Sequence, residues 1–263
     1  MTGSDTTEAH HCAALLRERD RDLWLASLFA PADTRPFVQA VYAFVVEARD
    51  VRARVSQPLL GEMRLRWWAD AIHAGNEDAR AHPVAGALLA ALDRFDLPRD
   101  ECVALVEAHI FDLYDDPMPD MAALEAYCRL TSTNPMLWAA RMLGGGDAPA
   151  FIEAGRALGF TRALRDPSPA FLPASLVAGA DPAAARRHAR AAIAAAAGAA
   201  FDSARVAAGE RPAGAAALLP AATVPLYLEL MARSGYDDAS TTASPSTLRR
   251  QWRLWRAARG VGL

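Results

Sequence analysis

The stretch YAFVVEARDVRARVSQPLLGEMRLRWWADAI, residues 42 to 72, decides the fold expected of this chain, because it holds the densest charge pattern and the only adjacent tryptophans. Its first half places Glu47, Asp50 and Arg54 at i, i+3 and i+7, on one stripe of a helix. Pro58 then breaks the helix, and a second helical pattern follows. The stretch predicts two consecutive helices with charges facing a shared space, although the same spacing also fits a solvated helix face.

The rest of the chain also favours helices. Alanine, leucine and arginine dominate, and alternation of β-branched residues never lasts long enough to indicate a strand. Residues 1 to 9 are polar and predict a flexible tail, and residues 10 to 263 predict one all-α domain. Pro135 and Pro225 lie inside helical patterns and predict kinks. Helices are expected at about 10–29, 34–55, 59–74, 82–95, 98–115, 120–143, 148–166, 181–208, 214–234 and 246–259.

Composition excludes several classes of protein. The formal net charge is -3, so the chain lacks the basic field that holds a nucleic-acid backbone, and we expect no nucleic-acid partner. Three widely spaced cysteines fit a reducing compartment better than a disulfide framework. Arginines interrupt the alanine-rich run from 183 to 208, and no membrane span is expected there. These features predict a cytoplasmic protein.

One acidic segment is a candidate metal site. In LVEAHIFDLYDD, residues 105 to 116, His109, Asp112 and Asp116 share a helix face at i, i+3 and i+7. Carboxylate and imidazole groups on one face are able to bind a metal ion. A solvated acidic helix end before Pro117 explains the same pattern, and the residues alone leave both interpretations open.

The stretch AGRALGFTRALRDPSPAFLP, residues 154 to 173, carries the most specific motif. It keeps the order Gly-x-Ala, then Leu-Arg-Asp ending at Asp166, then Phe-Leu-Pro ending at Pro173. Together with residues 42 to 72, Asp112 and the Tyr127-Cys128 pair, this order resembles the squalene and phytoene synthase family. The resemblance extends over roughly residues 20 to 235.

Members of this family are helical bundles around a central cavity that join two allylic diphosphates head to head. Two aspartate-rich motifs on facing helices hold magnesium against the diphosphates, which suits a cation that binds carboxylates and phosphate oxygens. The resemblance therefore implies an isoprenoid-synthase-like bundle, with magnesium as the cofactor if the chain is catalytic. Catalytic candidates are Asp50, Asp112 and Asp166, of which Asp50 and Asp166 would bind metal; candidates for diphosphate binding are Tyr42, Glu47, Arg49, Asp50, Tyr127, Arg162, Arg165 and Asp166.

The chain departs from the family pattern where the chemistry should occur. The first motif has three aspartates, and its positions here read Arg49, Asp50 and Ala53. In the second motif Asp166 remains, but Arg162 replaces an asparagine. A cation in place of a carboxylate repels magnesium, whereas guanidinium groups suit phosphate oxygens directly. We therefore expect no bound cofactor, and at most an arginine-lined anion site.

A scaffold kept while its acids are lost is similar to the phytoene-synthase-like branch that includes a mitochondrial complex I assembly factor. The segment VPLYLEL, residues 224 to 230, resembles a late element of that branch. The expected role is non-catalytic, in assembly of respiratory complex I with a membrane-complex partner or in binding an isoprenoid-like ligand. The alternative is an active prenyltransferase that condenses allylic diphosphates.

The C-terminal segment STLRRQWRLWRAAR, residues 246 to 259, predicts a surface for a membrane or a partner. Tryptophans and arginines alternate around one helix, which is typical of helices that lie in a membrane interface. The candidate residues are Trp252, Arg253, Trp255 and Arg256, and they would bring the protein to the inner membrane as a peripheral protein. Packing of both tryptophans against the bundle is the alternative.

Overall fold

The computed structural model describes residues 3–114, 116–178, 181–209, 212–233 and 244–260. Throughout these ranges the regular structure is helical, and no strand occurs in them. The prediction of an all-α fold is confirmed. The first half contains α1 (Gly3–Arg19), α2 (Arg21–Ser27), α3 (Arg35–Arg49), α4 (Pro58–Ala74), α5 (Glu77–Arg80), α6 (Pro83–Phe95) and α7 (Arg99–Ala108), with short 3₁₀ turns at Arg52–Arg54 and Phe111–Leu113.

The second half of the chain continues the bundle. A π-helical turn (Arg129–Thr133) joins two of its helices, and 3₁₀ segments lie at Pro169–Phe171 and Ala215–Thr223. The α-helices are α8 (Met121–Cys128), α9 (Asn134–Met142), α10 (Pro149–Arg165), α11 (Ala174–Val177), α12 (Pro182–Ala208), α13 (Val224–Met231) and α14 (Thr247–Ala258).

Several helix boundaries differ from those expected. Helix α1 begins at Gly3, within the stretch where we expected a tail. The helix expected at 10–29 is divided at Asp20, because the Asp20 side chain accepts from the Leu23 amide at 3.1 Å and caps the start of α2. Pro135 and Pro225 are each the second residue of an α-helix that directly continues a π-helical turn or a 3₁₀ segment. The missing amide of each proline thus coincides with a change of helix type inside a longer helical run.

Helix α3 is the centre of the bundle. Every residue from Val38 to Val46 is buried, so the helix is enclosed on all sides instead of exposing one polar face. It packs against α1, α6 and α9. Because α3 ends at Arg49, it delivers the first motif of the chain to the edge of the core.

Helices α10 and α12 pack along each other through small side chains. On α12 the buried residues recur at helical spacing and include Ala189, Ile193, Ala197 and Ala200. By length and composition alone α12 is a candidate membrane span, although its arginines led us to expect no span there. Apolar core helices of a bundle often have the same length and composition. The contact of α12 with α10 is the packing expected in a helical bundle.

Candidate functional site

A cavity of about 100 Å³ lies where the ends of α3 and α10 meet α8 and the turn after α7. The five candidate residues that line it are Arg49, Asp112, Tyr127, Arg162 and Asp166. The structure thus brings together residues that are more than a hundred positions apart in the sequence. The cavity holds two carboxylates among several cationic and aromatic groups.

Asp112 is held by a buried hydrogen-bond network. The Tyr127 hydroxyl donates to both Asp112 oxygens at 2.8 and 3.0 Å, and His109 Nδ1 lies 2.7 Å from Asp112 Oδ2. Burial is the larger cause and the neighbouring Asp112 carboxylate the next, and together they raise the pKa of Tyr127 well above its usual range. His109 Nε2 is buried without a hydrogen-bond partner among the described residues. Asp112 and His109 meet as their spacing predicted, whereas Asp116 is exposed and lines no part of this cavity.

Asp20 links the two arginines that replace family residues. Arg49 Nη1 lies 2.7 Å from Asp20 Oδ2, and Arg162 Nη2 lies 3.9 Å from the same oxygen. Burial alone would raise the pKa of Asp20, but the charges of Arg49 and Arg162 outweigh it and lower this pKa to about 2. Burial also lowers the pKa of Arg162. Sequence reasoning missed Asp20, although an aspartate between two arginines at a helix junction is a visible capping signal.

Asp50 does not join Asp166 in this cavity. It lines neither this cavity nor the larger one beside it, and it pairs with Arg49 Nε at 3.0 Å and more weakly with Arg54. Asp166 accepts from the Ser168 amide at 2.8 Å, and burial raises its pKa. Across the described ranges no three His, Cys, Asp or Glu side chains form a group able to hold a metal ion. Asp166 lines the cavity and Asp50 does not, so the two carboxylates expected to share a metal ion do not meet there, and the donor set does not fit a magnesium cluster.

Tyr42 and Glu47 also lie outside the cavity that contains Asp112 and Asp166. Tyr42 is buried beside a minor void, and burial raises its pKa. Glu47 accepts from Arg19 at 3.0 Å and from Arg54 at 3.0 Å, and the second contact forms across the end of α3. Neither residue is placed to bind a ligand in that cavity.

A second, more open cavity of about 400 Å³ adjoins the first. Arg165 lines it, with its guanidinium carbon 3.9 Å from the centre of the Tyr227 ring. Tyr227, from the VPLYLEL segment, donates a hydrogen bond to Asp22. Six arginines and four acids line this cavity, namely Arg19, Arg21, Arg49, Arg162, Arg165 and Arg250 with Glu18, Asp20, Asp22 and Asp166.

Helix α14 exposes both of its tryptophans, so the alternative in which they pack against the bundle is wrong. Trp252 is 59% exposed and Trp255 is 41% exposed, and the residue that packs inward is Leu254. Arg253 is not on the free surface as expected, because its Nε donates to the Ala222 carbonyl at 2.9 Å. Arg256 is half-buried. The structure keeps the two tryptophans in the candidate surface and removes Arg253 from it.

Solved structures show the same fold at low sequence identity. A dehydrosqualene synthase with a bound ligand matches with a TM-score of 0.71 and 17% identity, over 98% of this chain and 97% of that one. Squalene synthase HpnC from Alicyclobacillus acidocaldarius matches with a TM-score of 0.70 and 20% identity, over 90% and 97%. YisP from Bacillus subtilis gives a TM-score of 0.71 and 16% identity, over 96% of each chain. The prediction of an isoprenoid-synthase-like bundle is confirmed.

A family model establishes the family, and curated relatives match part of the chain. NADH dehydrogenase (ubiquinone) complex I, assembly factor 6 of Homo sapiens is 32% identical over 160 residues, which are 59% of this chain and 48% of that protein. Its Rattus norvegicus counterpart is 30% identical over 169 residues, 62% and 51%. This chain thus spans about half the length of these relatives. The squalene/phytoene synthase model matches residues 16–256, and the chain belongs to the squalene/phytoene synthase family.

Proposed function

We propose that this chain is a non-catalytic member of its family that acts in the assembly of respiratory complex I. The observation that carries the proposal is the pairing of Arg49 with Asp20 and Asp50 at the position of the first metal motif. A site built this way neutralises its own carboxylates with arginine. The same carboxylates are therefore not available to gather magnesium around a diphosphate.

The electrostatics of the site oppose metal binding. Magnesium needs carboxylates together with substrate phosphate oxygens, and like charges about 4 Å apart repel by about 4 kcal/mol at an effective dielectric of 20. Arg49 and Arg162 both line the cavity, so a cation there would meet two guanidinium groups. Asp112 already accepts hydrogen bonds from Tyr127. Asp166 remains as one carboxylate, which does not hold a metal cluster.

The size of the cavity points the same way. Its volume of about 100 Å³ is smaller than the ~300 to 1,000 Å³ of typical small-molecule pockets. Two long prenyl chains, which a head-to-head condensation needs side by side, do not fit into it. The adjoining cavity of about 400 Å³ is large enough for a small molecule, but it is lined mainly by charged side chains, which do not suit apolar prenyl chains. Large side chains such as Tyr42, Phe44 and Trp138 are buried in the bundle instead.

The proposed role in complex I assembly comes from the names of the curated relatives. Relatives in Homo sapiens and Rattus norvegicus are named as assembly factor 6 of complex I. We carry this role over to the present chain, with a membrane-complex assembly partner as its binding target. The protein would then work in the cytoplasm, peripheral to the inner membrane, and would need no cofactor.

An active prenyltransferase is the second candidate. It is favoured by one observation, namely that Asp112 and Asp166 line the same cavity. In that case magnesium would be held by these two carboxylates alone. Both candidates predict a folded bundle, and they differ in whether the carboxylates are needed for function.

Deletion and complementation in the organism that encodes the chain test the proposal. We expect deletion to lower the amount of assembled complex I several-fold on native gels, together with NADH dehydrogenase activity. The wild-type gene, Asp50→Asn and Asp166→Asn should all restore it, because the proposed role does not use their charges for catalysis. Unchanged complex I in the deletion strain would overturn the proposal.

A parallel assay tests the alternative. The purified protein is incubated with farnesyl or geranylgeranyl diphosphate and magnesium, and released pyrophosphate is measured against an active dehydrosqualene synthase. We expect no release above the background without protein. Release that disappears in Asp166→Asn would establish a prenyltransferase instead.

A further inference from the structure

We propose that the outer face of α14 binds the surface of an anionic membrane. We define the outer face as the apolar stripe Leu248, Trp252 and Trp255 with the flanking Arg249, Arg256 and Arg259. The inference goes beyond the assembly role, because it assigns a lipid surface as a ligand and rests on α14 alone.

The stripe is apolar and exposed. Leu248, Trp252 and Trp255 follow one another at i, i+4 and i+7, and they are 78%, 59% and 41% exposed. The two indole rings stack with their centres 5.4 Å apart and their planes 17° from parallel. The Arg259 guanidinium carbon lies 3.9 Å from the centre of the Trp255 ring. Two adjacent indoles and a leucine on one helix face form a large apolar surface facing solvent.

The opposite side of α14 fixes this orientation. Leu254 is 1% exposed and packs in a cluster with Leu25 and Leu219. Arg250 Nε lies 3.5 Å from Asp22 Oδ1, and both side chains are largely buried. Arg253 donates to the Ala222 carbonyl. These contacts use the inward side of the helix, so the tryptophans cannot turn into the core without breaking them.

The charge of this segment selects an anionic surface. Residues 244 to 260 contain five arginines and no aspartate or glutamate, although the whole chain has a formal net charge of -3. Arg250 and Arg253 face inward, and Arg249 Nη1 lies 3.8 Å from Glu229 Oε1, so the positive charge beside the exposed tryptophans comes mainly from Arg256 and Arg259. Arginine is attracted to anionic headgroups, and tryptophan prefers the boundary between headgroups and acyl chains. A helix with both on one outer face suits the plane of such a membrane.

Helix α4 exposes apolar residues without this charge pattern. Met63 and Trp67 are 60% and 41% exposed, but Glu62 and Asp70 on the same helix balance its two arginines. Trp67 is as exposed as Trp255, so it offers a matched control for the loss of an exposed indole.

Vesicle co-sedimentation with the full chain tests the inference. We expect binding to vesicles of phosphatidylcholine with added phosphatidylglycerol, little binding to phosphatidylcholine alone, and a loss of binding at high salt. Trp252→Ala with Trp255→Ala should weaken binding by at least about tenfold. Arg249→Gln, Arg256→Gln and Arg259→Gln together should remove the preference for anionic vesicles. Trp67→Ala should bind like the wild type.

Circular dichroism and thermal melting confirm that each variant is folded before it is compared. Failure of the wild type to bind anionic vesicles would overturn the inference, as would equal binding to neutral vesicles or an equal loss in Trp67→Ala. The assay contains no component of complex I. Its failure would therefore leave the complementation result standing, and a failed complementation would leave the vesicle result standing.

Discussion

Asp20 lies between two arginines that come from different helices, Arg49 at the end of α3 and Arg162 on α10. One carboxylate therefore ties α2 to two walls of the cavity. Asp20 also caps α2 through the Leu23 amide. The Asp20 carboxylate thus makes ion pairs and also accepts a hydrogen bond from the backbone. A substitution that keeps the hydrogen bond isolates the contribution of the ion pairs.

Asp20→Asn should destabilise the protein by about 3 kcal/mol at pH 7, because it removes the anion nearest to the partly buried Arg162 and leaves Arg49 paired with Asp50 alone. Asparagine can still accept from the Leu23 amide, so the cap is kept. The folded-state pKa of Asp20 is about 2, below its ordinary value of 3.8. The stability from this charge is thus fully present above about pH 4 and is lost as the pH falls through 2. Urea denaturation at pH 7 and at pH 3 measures both effects.

Asp50→Asn is the control for the Asp20 prediction. Asp50 pairs with the same Arg49, but its side chain is more exposed, and we expect a loss of at most about 1 kcal/mol. Equal losses from Asp20→Asn and Asp50→Asn would show that burial does not set the strength of this network. A deficit of Asp20→Asn that stays constant as the pH is lowered would contradict the assignment of its pKa.

At the scale of elements, two glycines let α10 approach its neighbours closely. A Cβ at Gly155 would lie 2.5 Å from Thr133 Cα, which belongs to the π-helical turn before α9. A Cβ at Gly159 would lie 2.6 Å from Cys128 Cβ at the end of α8. The motif that keeps Gly155 therefore has a packing reason, since only glycine permits this contact between backbones.

Gly155→Ala should lower the free energy of unfolding by about 1 to 3 kcal/mol, because the added methyl group must displace the backbone of Thr133. Gly198→Ala on α12 is the matched control, since nothing lies within 4 Å of its Cβ position. There the helix preference of alanine should stabilise the protein by about 0.5 to 1 kcal/mol. Chemical denaturation of both variants measures the difference, and two changes of the same sign would refute the packing explanation.

At the scale of the whole molecule, the three cysteines show how well the bundle excludes solvent from its core. Cys12 and Cys102 are 0% exposed and Cys128 is 1% exposed, and they lie on three different helices. Burial raises the pKa of each thiol from 9 to about 12. A thiol that is both protonated and enclosed reacts slowly with electrophiles.

The native protein should therefore resist thiol-specific labelling at pH 8, whereas all three cysteines should react after unfolding in guanidinium chloride. Mass spectrometry of the labelled chain counts the modified sites. Because the thiols lie in different parts of the bundle, labelling in mild denaturant should follow global unfolding at all three sites together. Rapid labelling of one thiol in native buffer would indicate that its helix opens locally.

The order of motifs was enough to place many candidate residues in one cavity. Arg49, Asp112, Tyr127, Arg162 and Asp166 are all found there, because a family motif carries information about positions as well as residue types. The i,i+4 spacing of Asp50 and Arg54 fits their pair at 3.8 Å. The contact of Glu47 with Arg54 did not follow from spacing, because residues seven apart on one helix lie about two turns apart, and this pair forms only because α3 ends at Arg49.

By itself, the sequence determined the all-α class, the family and the lost aspartates, because helical periodicity and motif identity are properties of neighbouring residues. Only the tertiary structure decided that Asp20 joins Arg49 to Arg162, that Asp50 lies outside the cavity, and that Arg253 anchors α14 while its tryptophans face outward. These outcomes depend on which helices meet and at what distance. Side chains far apart in sequence then compete for the same partners, and burial decides which charges must be paired.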